Sequence, residues 1–140
     1  MFEEIVEKYI SQITEKFDIK GIILFGSVAR GTANKTSDID LIVIASGLPE
    51  LRDRFNFVGI KKPARLEAIW MTPEELSGMV DAKTGFVMDA LLEGIFLKDD
   101  GTIKASKKRL EESLTKLHAV KISHGWFIPR NSLEEVISFH

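Results

Sequence analysis

The chain has no cysteine among its 140 residues. That removes disulfides, thiolate metal ligands and a cysteine nucleophile together, and it suits a reducing compartment, so a cytoplasmic location is expected. It has no large excess of either charge: the formal net charge is −2 with 29% charged residues. A phosphate-tracking surface is therefore absent and nonspecific nucleic-acid binding is not expected. It has no apolar run of membrane-spanning length, and MFEEIVEKYI carries three acids where a signal peptide would carry a basic region and an apolar stretch. Neither export nor a membrane partner is expected. Repeats, low-complexity tracts and linkers are missing too, and at this length the chain reads as one domain, 1–140, with a helical extension over about 103–140.

What is present is enough apolar residue, 44%, for a real core. Phe2, Ile5, Val6, Tyr9, Ile10, Ile13 and Phe17 recur at spacings of three and four, which predicts an opening helix with one apolar face. Ile22 to Phe25 and Leu41 to Ile44 are short, β-branched runs bounded by turn residues, and read as strands buried on both faces; Leu66 to Met71 reads as a third. LPELRDRFNFVGIKK, between the second and third strands, has a helical rhythm. Thr72-Pro73-Glu74-Glu75 is a capping box with proline at the first helical position, so a helix begins there. Another helix is expected through Phe86 to Leu92, then a short edge strand at Ile95 to Leu97 that ends in the turn Asp99-Asp100-Gly101.

Leu110, Leu114 and Leu117 mark a further helix whose start carries Lys104, Lys107, Lys108 and Arg109, either a solvated face or a phosphate contact. Ser132-Leu133-Glu134-Glu135 is a second capping signature and predicts a last short helix. SHGWFIPRN has no clear periodicity; Trp126 and Phe127 either pack onto the core or meet a partner. His118, His124 and His140 lack metal-ligand spacing.

The stretch from Gly26 to Asp40 carries the chemistry. Gly26 and Gly31 stand five apart after a strand, as in a P-loop, but Thr32-Ala33 follows where a P-loop requires Lys and then Ser or Thr. The dinucleotide spacing GxGxxG fails as well. A Gly26-Ser27 pair leaving a strand still allows backbone N–H groups to approach an anion, or makes a tight turn capped by serine. Asp38 and Asp40, at i and i+2 on entry to a strand, place two carboxylates on one face a few ångströms apart. Like charges that close call for a cation between them, and hard oxygen donors suit Mg²⁺. Aspartate leading straight into Leu-Ile-Val-Ile breaks a strand preference, as functional sites do. Glu67 is the acid of the third predicted strand: either a third carboxylate or a strand residue paired with Arg65.

Gly26, Ser27, Ala29, Arg30, Gly31, Ser37, Asp38 and Asp40, with Glu67 as the later acid, resemble the signature of the minimal nucleotidyltransferases of the DNA polymerase β-like superfamily. The likeness is densest over residues 20–45, continues in outline through Leu92-Glu93-Gly94-Ile95, and stops near residue 105. It implies an α/β (α+β) fold, a mixed sheet flanked by helices. It implies that Asp38, Asp40 and Glu67 are catalytic and hold two Mg²⁺ ions, and that Gly26 and Ser27 grip the triphosphate. Arg30 would touch phosphate or brace the turn, and Lys35 reads as a loop charge. Glutamate at 67, where many relatives carry aspartate, sets that carboxylate one methylene outward. The implied reaction moves a nucleoside monophosphate, AMP from ATP, to an acceptor hydroxyl. The acceptor is a tyrosine of a HEPN-domain toxin, in an antitoxin role, or a small molecule or a nucleic-acid end, the last disfavoured by the small size and the net charge of −2. A catalytically silent partner-binding module of the same fold is the competing expectation, and a homo-oligomer is left open.

Overall fold

The computed structural model describes residues 2–31, 38–49, 66–117, 120–122, 125–130 and 133–138. Helix α1 (Phe2–Lys16) leads into strand β1 (Asp18–Phe25), the one-turn helix α2 (Gly26–Arg30), β2 (Ile39–Ser46) and β3 (Leu66–Met71). Helices α3 (Pro73–Asp81) and α4 (Gly85–Glu93), strand β4 (Ile95–Asp99) and helix α5 (Thr102–Lys116) follow. The main sheet runs β3-β2-β1-β4. β1 is antiparallel to both neighbours, β2 and β4, whereas β2 and β3 are parallel, so the sheet is mixed.

The unbroken apolar runs of β1 and β2 follow from helices on both faces of the sheet, where each side chain meets a core whichever way it points. Ile22, Leu24, Leu41 and Val43 bury against Val6, Tyr9 and Ile13 of α1. Ile23, Ile42 and Ile44, one residue out of step, bury against Leu76, Val80, Val87, Leu91, Ile103 and Leu110 of α3, α4 and α5. Phe17 lies just past the end of α1 and still packs on the first of these cores.

Local signals place the helix ends. Thr72 Oγ accepts the N–H of Glu75 (3.1 Å), and the Thr72 N–H donates to Glu75 Oε1 (2.8 Å), which closes the predicted capping box. Such a cap stabilises a helix start by about 1 kcal/mol. Asp99, expected only as a turn residue, also caps α5: its carboxylate accepts the N–H groups of Gly101, Ile103 and Lys104 at 2.8–3.0 Å. The helix expected over residues 48–62 lies outside the described residues except at its first two positions.

The C-terminal part departs from expectation. The anticipated helical extension is helical only through Lys116; β5 (Val120–Ile122), β6 (Gly125–Arg130) and β7 (Leu133–Ser138) then form a separate antiparallel sheet in the order β5-β6-β7. The last helix predicted from Ser132-Leu133-Glu134-Glu135 is instead strand β7, paired with β6 from Arg130↔Leu133 to Gly125↔Ser138. A capping signature is a local preference, and six consecutive cross-strand pairs override it. Trp126 and Phe127 fall on β6. His118, His124 and His140 lie outside the described residues. Among the described residues no helix is long and apolar enough to cross a membrane.

Candidate active site

The chain leaves β1 at Phe25 and turns at once on Gly26, whose φ is +77°. Two constraints fix glycine there. Left-handed backbone disfavours any side chain, and a Cβ on Gly26 would run into Asp40 Oδ2. The turn therefore presses its backbone against the carboxylate of the neighbouring strand. Helix α2 follows for one turn and ends at Gly31, φ +73°, whose N–H donates to the Val28 carbonyl (3.2 Å).

Strand register brings the acids to this turn. Phe25 stands opposite Asp40 across β1 and β2, and Asp40 stands opposite Glu67 across β2 and β3. Adjacent strands are about 4.8 Å apart, so Gly26, Asp40 and Glu67 occupy neighbouring positions along one sheet end. Asp38 precedes β2 by one residue and is exposed, as are Glu67 and Arg30; Asp40 is half-buried. Burial raises the Asp40 carboxyl above the ordinary carboxylate value, the negative charges of Asp38 and Glu67 raise it further, and Arg30 opposes them. Asp38, Asp40, Glu67 and Arg30 thus share one electrostatic neighbourhood. The side chain of Ser27 and all of Lys35, Ser37 and Arg65 lie outside the described residues.

The position of Glu67 is set from the far face of its strand. Trp70 Nε1 donates to Tyr9 Oη at 3.3 Å, and the Phe17 ring meets the Trp70 ring edge-on with centroids 5.0 Å apart. Tyr9 is 2% exposed and its phenol is pushed up by burial, an effect the Trp70 hydrogen bond partly offsets. These contacts tie β3 to α1 and present the opposite face, with Glu67, beside Asp40. Gly94 is a requirement that sequence reasoning passed over. A Cβ there would strike the Ala90 carbonyl and sit 2.6 Å from Ile23 Cγ2, so only glycine lets the α4–β4 junction close onto the end of β1. Its signal in the sequence was the Leu92-Glu93-Gly94-Ile95 outline.

Carboxylates of this kind match the hard oxygen donors that Mg²⁺ prefers, and Asp40 carries an excess of negative charge around it, so the donor chemistry fits. Among the described residues no three His, Asp or Glu side chains close around a metal position. Open cavities of about 770 and 480 Å³ lie along α5, and none of these site residues lines either one.

Comparison with known proteins adds the family. The family model described as a nucleotidyltransferase domain matches residues 6–135. MJ1305 of Methanocaldococcus jannaschii, by name a candidate protein adenylyltransferase, is 48% identical over 54 residues, covering 37% of this chain and 37% of its own. The chain thus aligns with little more than a third of that relative's length. The protein adenylyltransferase MntA of Thermococcus cleftensis is 27% identical over 95 residues, 68% of this chain and 91% of the relative. The crystal structure of a candidate nucleotidyltransferase from Sulfolobus solfataricus superposes with a TM-score of 0.51 at 20% identity, over 69% of this chain and 79% of the other. That likeness concerns the fold, a mixed sheet with flanking helices.

Proposed function

The chain belongs to the nucleotidyltransferase domain family, and on that premise we propose that it transfers AMP from ATP to an acceptor hydroxyl, with pyrophosphate as the leaving group. The observation that carries the reading is the shared end of β1, β2 and β3, where the Gly26 turn abuts Asp40 and Asp40 stands beside Glu67. A triphosphate and the acids that handle it must occupy one small volume, and this end supplies both halves.

The acceptor oxygen forms a bond to the α-phosphorus as the bond to the pyrophosphate oxygen breaks in line. Backbone N–H groups at Gly26 and Ser27 receive the phosphate oxygens, because no side chain at Gly26 stands in the way. Glu67, at the outer end of the row and exposed, accepts the proton of the attacking hydroxyl. Arg30 faces the acids and offsets charge that builds on the phosphates. Asp38, Asp40 and Glu67 would hold Mg²⁺, which supplies Lewis-acid stabilisation of the phosphoryl oxygens when bound. Little else is asked of the protein, since such displacements depend on positioning and charge.

The acceptor we favour is a tyrosine on a partner protein, a HEPN-domain toxin to which this chain would serve as antitoxin. Two protein adenylyltransferases among the relatives support a protein acceptor by their names. This chain's single tyrosine, Tyr9, is 2% exposed, which fits a tyrosine acceptor supplied by another molecule. The absence of cysteine and of a spanning helix among the described residues fits action in the cytoplasm.

Isothermal titration of ATP with and without Mg²⁺, on wild type and on Asp38→Ala/Asp40→Ala, tests the reading. Metal-dependent ATP binding that disappears in the double variant is expected. No binding of ATP, GTP, CTP or UTP by folded wild type would overturn the catalytic proposal in favour of a silent docking module.

A further inference from the structure

The main sheet ends at β4, whose outer edge pairs with no strand among the described residues. Such an edge offers a row of backbone N–H and C=O groups to an incoming chain. The two faces of this strand differ. Phe96 turns toward the helices and packs on their core, while Ile95, opposite Leu24, takes the other face and is 46% exposed; Leu97, 38% exposed, is the extra residue where the register shifts between the Ile23↔Phe96 and Ile22↔Lys98 pairs. On the Phe96 side a cavity of about 480 Å³ opens between the strand and α5, lined by Phe96, Asp99, Lys104, Lys107, Lys108 and Glu111. Lys107 Nζ sits 5.7 Å from the Phe96 ring centroid. Of the two acids there, Asp99 is already engaged by the backbone N–H groups of Gly101, Ile103 and Lys104. Among the described residues no ion pair engages Lys104, Lys107 or Lys108. Three lysines against the carboxylates of Asp99 and Glu111 leave this lining one positive charge in excess, in a chain of net charge −2.

We propose that the outer edge of β4 docks an extended segment of another protein whose side chains alternate acidic and apolar. An added strand sends successive side chains to opposite faces. Its apolar residues then fall on the side of Ile95, and its acids fall beside Phe96 and the lysine-lined cavity. Backbone pairing supplies affinity and the two unlike faces supply selectivity. A second copy of this chain fits less well, because two-fold pairing of β4 would bring the Lys104–Lys108 side of each copy to the same face as that of its mate.

The link to the proposed reaction rests on the nucleotidyl-transfer reading. Ile95 stands opposite Leu24, so the docked segment ends at the same sheet end as Gly26, about three strand spacings or ~15 Å from β2. The segment would bring its flanking residues to the carboxylates.

Binding alone tests the docking site, without ATP or metal. The probes are a fluorescein-labelled decapeptide of alternating glutamate and valine, a lysine–valine counterpart, and a dT10 oligonucleotide, followed by anisotropy at low salt. Wild type should bind the acidic peptide at least tenfold more tightly than either of the others. Lys104→Glu/Lys107→Glu should weaken it tenfold or more with melting temperature and ATP binding unchanged, and residues 95–99 should gain amide-exchange protection. The proposal fails if the acidic peptide does not bind, if the double variant binds it as well as wild type, if protection appears elsewhere, or if dT10 binds more tightly. It also fails if sedimentation shows a dimer that Leu97→Asp abolishes. Failure of folded wild type to bind any nucleoside triphosphate in the earlier titration would refute the catalytic reading and leave this result standing.

Discussion

Asp40→Asn removes one negative charge from a sheet end where Glu67 stands directly across and Asp38 lies two residues away. Like charges placed opposite one another in a sheet each cost roughly 0.2–1 kcal/mol, and the attraction to Arg30 cancels part of that. Asp40 is only half-buried, so solvent screening reduces each contribution, and a net gain of about 0.5–1 kcal/mol is expected for the variant. For a chain of this size that corresponds to a rise of about 2–3 °C in melting temperature. The assay is thermal unfolding by circular dichroism at neutral pH in EDTA and low salt, repeated at 1 M salt, where a Debye length near 3 Å should shrink the difference. The pH dependence has a definite sign. The folded-state value of Asp40 is raised above 3.8, so ionised Asp40 penalises the fold above the raised value, and the penalty is relieved as pH falls through it toward 3.8. The melting difference between variant and wild type should therefore narrow over that interval. Other carboxylates titrate too, which is why the difference and not either curve is read. Metal-dependent ATP binding should be lost in the same variant. A variant that melts below wild type would refute the account of Asp40 as a carboxylate penalised by burial and by its acidic neighbours, and a difference indifferent to salt would refute the part assigned to those neighbours.

Gly26→Ala should destabilise by about 1–3 kcal/mol through its left-handed backbone. It should also abolish ATP binding by displacing the Asp40 carboxylate, with the far-ultraviolet spectrum unchanged; intact binding would show that the turn does not hold phosphate. Asp99→Ala leaves the N–H groups of Gly101, Ile103 and Lys104 at the start of α5 without their partner and should cost about 2 kcal/mol, measured by urea titration, whereas Asp99→Asn should recover part of it.

Most of the site could be read from the chain because its signals are local or doubly determined. Ile22 to Phe25 and Leu41 to Ile44 are apolar at every position because α1 covers one face and α3 to α5 cover the other, and that leaves Asp38 and Asp40 conspicuous at the strand mouth. Glu67 was identifiable as the acid within the run Leu66 to Met71, and its place opposite Asp40 is what the structure adds. Three features were not legible, because each is fixed by a partner segment and not by the pattern of its own residues. The contact that makes Gly26 obligatory lies fourteen positions away at Asp40; the one that makes Gly94 obligatory involves Ile23. Strand β7 exists only through its pairing with β6, while Ser132-Leu133-Glu134-Glu135 advertises a helix to any reader of local pattern.

Asp40, Ile42 and Ile44 are alternate residues of one strand, and the two isoleucines are sealed in the core that α3, α4 and α5 share. The carboxylate is thus the outer end of a row whose inner end is packed solid. Any substitution that lets Ile42 resettle would be felt at Asp40 as a displacement along that row, long before enough contacts were lost to unfold the chain. Nucleotide binding would then serve as a gauge of core order, and a loosened core would announce itself as a functional defect in a protein that still looks folded.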